Sequence, residues 1–123
     1  MLQEKYQRRL KENKILWFAT MKPDNQPHLA PLWYIWKNNL IYVCTPSKSV
    51  KVKNLNQNKN VTISLEDGSK PLIGEGTAIL IEKPDKQDVL LDFKEKYDWT
   101  IVNDKPYDTL IVVKINKWIH FNG

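Results

Sequence analysis

Between residues 15 and 115 the sequence is cut into short apolar, β-branched and aromatic runs, each closed by a cluster of turn-forming residues. That punctuation leaves few architectures open. Runs of this length joined by short turns pair as antiparallel neighbours, whereas parallel pairing needs a long crossover between every two strands. Residues 15–21 form one run, closed by Pro23, Asp24 and Asn25. Residues 28–36 form a second, closed by Lys37, Asn38 and Asn39, and residues 40–45 a third, stopped by Pro46. The short turns predict a meander in which these three strands lie side by side. Residues 61–66 alternate apolar and polar, Asp67 and Gly68 mark a turn, and residues 72–82 form a longer strand opposite. Residues 107–115, rich in Val and Ile, form the last strand.

Helices fit only between these strands. Leu2, Tyr6 and Leu10 recur every four residues among charges, which predicts an amphipathic helix over residues 2–12. Ser47 or Ser49 can cap a helix over residues 48–57. Pro84 and Asp85 open another, whose Val89, Leu90, Phe93 and Tyr97 share one face. Residues 98–106 read as a loop. Six strands with helices only between them predict a closed or nearly closed barrel.

The chain has 123 residues, which suits one domain over residues 1–123. Five Trp, five Tyr and three Phe must supply much of the burial in so small a core. A net charge of +5 suits anionic ligands and is too small to mark a dedicated nucleic-acid binder. Cys44 is the sole cysteine, so no internal disulfide exists, and a reducing, cytoplasmic compartment is expected. The first residues are charged throughout, and no apolar run approaches the length of a membrane span.

The side chains assemble no catalytic centre of their own. His28, His120 and Cys44 are scattered, which makes no metal site, and His28 reads as a hydrogen-bonded structural residue. Cys44 sits in the apolar run IYVCT, where a thiol is inert. Glu66 and Asp67 are adjacent in a strand and point to opposite faces. No phosphate-binding glycine motif occurs. Catalytic residues therefore stay unassigned, and any enzymatic chemistry falls to a bound cofactor.

Two segments suggest what that cofactor is. TPSKSVKVKNL, residues 45–55, carries Thr45, Ser47, Ser49, Lys48, Lys51 and Lys53 at a strand end and helix start. Free N–H groups and the helix dipole favour an anion there, and the lysines add charge. Lys51 and Lys53 are two apart and cannot share a helical face, so one grips the anion and the other serves elsewhere. An ordinary solvated basic helix is the competing reading. The second segment is PHLAPLWYIW, residues 27–36. Pro31 lacks an N–H, which places it at a sheet edge or bulge where backbone groups can face a ligand. Phosphate at one end and a flat polar heterocycle at the other describe a mononucleotide-type ligand.

Four blocks together resemble the pyridoxamine 5'-phosphate oxidase-like FMN-binding split β-barrels. They are ILWFATMKPDNQPHLAPLWYIW, LIYVCTPSKSVKVKNLNQNKNVTISL, IGEGTAILIE with Gly76 at the family's glycine position, and the end strand running to Trp118. The resemblance implies a mainly β protein with short helices, a six-stranded antiparallel split β-barrel of Greek-key type. It implies a homodimer with FMN at the subunit interface. By position, Thr45, Ser49 and Lys51 would surround the flavin phosphate, with Lys53 a second basic position. Ala30, Pro31, Leu32 and Trp33 would line the isoalloxazine ring, and Trp118 of the partner would cover it. The family's vitamin B6 oxidases carry arginines where Ala30 and Val50 stand, and a longer C-terminus with a substrate-binding arginine, whereas this chain ends at Gly123. The resemblance thus implies an FMN-dependent oxidoreductase of another substrate. A deazaflavin-dependent reductase and a non-catalytic flavin- or haem-binding protein on the same barrel are the alternatives.

Overall fold

In a computed structural model, which describes residues 2–82 and 87–120, the turn clusters fall where the strands reverse. The elements run α1 (Glu4–Glu12), β1 (Leu16–Met21), β2 (Pro27–Leu32), β3 (Ile35–Lys37), β4 (Leu40–Thr45), α2 (Val50–Gln57), β5 (Asn60–Leu65), β6 (Leu72–Glu82), α3 (Gln87–Tyr97), a 3-10 turn (Ile101–Asn103) and β7 (Thr109–His120). Pro84 and Asp85, expected to open α3, lie outside the described residues. The turns have local causes. Asn38 and Asn39 both take positive φ, 53° and 62°, as a two-residue hairpin loop that follows the strand twist requires. Asn25 does the same at 66° after Pro23, and Lys22 closes that turn on Gln26.

The sheet is wholly antiparallel, in the order β2-β1-β5-β6-β7-β4-β3. Its two edge strands, β2 and β3, are joined only by Trp33 and Tyr34. Leu32 and Ile35 can be at most about 10 Å apart, so the sheet must curl until its edges approach, which makes a split barrel. The expected fold class stands, with two corrections. Residues 28–36 are two strands, making seven, and the predicted meander breaks there: β2 and β4 sit toward opposite edges. Tyr34 is the cause. It is fully buried, and its N–H donates to the Tyr97 hydroxyl at 3.0 Å. Its own hydroxyl donates to the Leu10 carbonyl and its carbonyl accepts from Lys96 at 3.2 Å. Those partners take the backbone groups that a continuous ladder would use.

Two cores result. Inside the curl lie Leu16, Phe18, Ile41, Val43, Ile63, Leu72, Ile111 and Val113, with Tyr6 and Leu10 of α1 packed among them. On the outer face of β4 and β7, Tyr42, Cys44, Leu110 and Val112 pack against Val89, Leu90 and Phe93 of α3. Burial on both faces explains why β4 and β7 read as nearly continuous apolar runs. β7 also runs on to His120, and a bulge opposite Glu75 and Gly76 keeps it in register. A Cβ at Gly76 would lie 2.1 Å from the Lys114 carbonyl oxygen, so only glycine fits that close approach.

Candidate functional site: the rim where β4 meets α2

Pro46 ends β4, and Ser49 caps α2: its Oγ accepts from the Val52 N–H at 3.4 Å. Thr45 is buried, and its hydroxyl donates to Ser49 Oγ at 3.2 Å, so it orients the cap. Ser47 is taken elsewhere. Its N–H and hydroxyl both donate to the Asp108 carboxylate, at 2.8 and 3.0 Å, and these bonds hold the Asp108 carboxyl below the usual range. The three hydroxyls expected to face one anion therefore divide. Asn54 fixes the helix to the barrel through a buried 2.9 Å bond to Thr20 Oγ1.

The two lysines divide as their spacing demands. Lys53 is exposed and lines a groove of about 640 Å³ with Lys22, Asp24 and Val50. Lys51 is half-buried, and the loss of water lowers its pKa. No carboxylate pairs with it among the described residues.

Across the rim, β2 pairs with β1 alone and leaves its other edge without a ladder partner. Ala30 and Leu32 are half-buried toward the barrel, while Leu29 and Pro31 are exposed on the outer face. Trp33 is 44% exposed and stacks on Tyr97, with centroids 4.6 Å apart and planes 8° from parallel. Pro31, Leu32 and Trp33 share a cavity of about 510 Å³ with Cys44, Trp99, Asp104 and Tyr107. Through Cys44 this cavity brings the proline-bearing strand beside the end of β4. Cys44 itself is buried, and burial with the nearby Asp108 and Asp104 pushes its thiol up to about 12, as an inert thiol requires.

Trp118 does not line this cavity. It meets Trp36 edge to face at 5.9 Å and lines a separate cavity of about 500 Å³ with Leu2, Gln3 and His120. His28 departs from the expected hydrogen-bonded role: its Nδ1 is buried with no hydrogen-bond partner among the described residues. Sequence reasoning missed Trp99, Asp104, Tyr107 and Asp108, all in or beside the stretch read as loop. The density of aromatics from Tyr97 to Tyr107 was the available signal.

An antiparallel barrel whose two edges are chained together, with a cationic helix start on its rim, defines the split-barrel class. Residues 2–122 match the family model described as pyridoxamine 5'-phosphate oxidase, and the chain belongs to that family. Among similar solved structures is a conserved hypothetical protein of Mycobacterium tuberculosis, 25% identical over 98% of this chain and 84% of that one, with a TM-score of 0.85. An F420 reductase is 22% identical over 96% and 98% of the two chains, with a TM-score of 0.81. The heme storage protein HutZ of Vibrio cholerae is 18% identical over 98% and 95%, with a TM-score of 0.76. These last two are likenesses of fold. No curated protein matches the chain.

Proposed function

We propose that the chain is a single FMN-binding domain that works as a cytoplasmic, homodimeric oxidoreductase on a substrate other than vitamin B6. The observation that carries this reading is Lys51: a half-buried cation beside a helix start, with no carboxylate to neutralise it among the described residues. A lysine kept partly from water is favoured when an anion replaces the lost hydration. The phosphate would meet Lys51, the Ser49 cap and the free N–H groups of α2, with Thr45 holding the cap and Lys53 adding charge from the exposed face. The ring would lie along Ala30, Pro31, Leu32 and Trp33, where β2 offers an edge. When bound, FMN supplies hydride and single-electron transfer. The chain's part is to hold the phosphate, orient the ring and exclude water.

The outer face of the sheet supports the dimer. Trp17 and Pro31 stand opposite one another there, as do Ala19 and Leu29, and Trp17 and Leu29 are exposed at 37% and 61%. Contiguous apolar surface of this kind marks an interface. Among the described residues no helix is long and apolar enough to cross a membrane.

Titration with FMN and with riboflavin isolates the phosphate. FMN should quench its own fluorescence on binding and bind more tightly than riboflavin. Lys51→Ala should lose about 1.5–3 kcal/mol of FMN affinity, as expected for a charged hydrogen bond, and leave riboflavin unaffected. Unchanged flavin fluorescence at micromolar protein, or equal binding of both flavins, sinks the reading. The same titration with a deazaflavin and with haem, each in competition with FMN, ranks the alternatives.

A further inference from the structure

The cavity bounded by Pro31, Leu32 and Trp33 has walls that the phosphate grip does not use. Trp33 and Trp99 lie 5.7 Å apart with planes at 75°, and Trp99 and Tyr107 lie 4.9 Å apart at 90°. Trp99 thus stands at a near right angle to both neighbours, which makes a corner, and two of the rings are braced: Trp33 by its stack on Tyr97, Trp99 by Phe93 at 5.6 Å. Beside the corner stands Asp104, whose carboxylate accepts from Trp99 Nε1 at 3.2 Å. That single weak bond leaves most of its acceptor capacity open. Asp104 forms no ion pair among the described residues, and no lysine or arginine lines the cavity. Asp108 adds to the negative field, since it opposes ionisation of the Cys44 thiol in the cavity wall.

We propose that this corner is a binding site for a small organic cation of the methylated-ammonium type, held against the faces of Trp33, Trp99 and Tyr107 with Asp104 as its counter-charge. Ring faces attract a cation through their quadrupole, most strongly when water is partly excluded. A methylated ammonium suits such a site better than a primary one, because its charge is spread and weakly hydrated and it gives up little water to enter. An anion meets the carboxylate. A neutral molecule of the same shape gains only the apolar contact. The site stands on the cavity alone and does not depend on flavin binding, although the two share Pro31, Leu32 and Trp33.

The test titrates the full chain, as purified, with choline and with 3,3-dimethyl-1-butanol, in which carbon replaces the charged nitrogen. Calorimetry and tryptophan fluorescence are the readouts, since Trp33 and Trp99 line the site. Choline should bind about tenfold more tightly than the alcohol. Asp104→Asn keeps an acceptor for Trp99 and should reduce that preference, leaving the part due to the rings, without changing alcohol binding. Trp33→Ala, at an exposed position, should weaken choline, whereas Tyr107→Phe keeps the ring and should not. Equal affinity for choline and its neutral counterpart, unchanged choline binding in Asp104→Asn, or no choline binding at millimolar concentration overturns the proposal. FMN is titrated in parallel. A chain that takes choline but no flavin loses only the oxidoreductase reading, and one that takes flavin but no choline loses only this one.

Discussion

Lys51 and Lys53 show where reading residues from sequence stops. Their spacing dictates that they point different ways, but only the packing of α2 on β1 decides which is covered. Cys44 was more transparent, because an apolar run with a lone thiol in it predicts burial, and burial predicts inertness. That inertness has a pH signature. The folded thiol is raised to about 12 from an ordinary value of 9.0. Between those limits the unfolded chain releases the proton that the folded chain keeps, so the stability due to the neutral thiol is intact below pH 9 and declines above it. The slope is at most about 1.4 kcal/mol per pH unit. Cys44→Ala lacks the titrating group and shares every other one. Urea denaturation of both proteins from pH 7 to 10.5 should give a constant difference up to pH 9 and a shrinking wild-type advantage beyond it. Parallel curves across that range contradict the burial of the thiol.

At the scale of elements, most strands announced themselves, and the failure at residues 28–36 is instructive. Residues 29–36, LAPLWYIW, are apolar or aromatic throughout, so no turn residue marks the break between Leu32 and Ile35. The break is imposed by Tyr97, sixty-three positions away, whose hydroxyl accepts from the Tyr34 N–H. The same hydroxyl lies 2.9 Å from the Lys14 carbonyl and 3.0 Å from that of Tyr34. A long-range cap of this kind leaves no trace in periodicity. The short 3-10 turn at Ile101–Asn103 escaped notice for a similar reason, being fixed by tertiary contacts of Ile101 with the outer core. Tyr97→Phe keeps the ring and its stack on Trp33 but deprives the Tyr34 N–H of its acceptor. A buried donor left unmet costs about 1–3 kcal/mol. The urea midpoint should fall accordingly with an unchanged slope, while the Tyr34 carbonyl keeps its bond from Lys96. An unaltered midpoint means the two edges of the sheet are held together by other contacts.

For the whole molecule, the barrel follows from the pattern of strands and turns, but one chain does not bring all the candidate site residues together. Pro31, Leu32 and Trp33 line one cavity, Lys51 stands at the start of α2, and Trp118 lies with Trp36 in a separate cavity. Periodicity describes one chain, so only the family resemblance linked Trp118 to the other candidate residues. If the outer face bearing Trp17, Leu29 and Pro31 is the dimer contact, each ring site takes its phosphate grip from one protomer and its tryptophan cover from the other. That geometry makes a complementation test decisive. A Lys51→Ala homodimer spoils both grips, and a Trp118→Ala homodimer spoils both covers. In the mixed dimer one site collects both defects, and the other collects neither. Co-purified through two different tags, the heterodimer should bind FMN with wild-type affinity at one site per dimer, whereas each parent binds weakly at both. Equally weak binding by the heterodimer would place grip and cover within the same protomer.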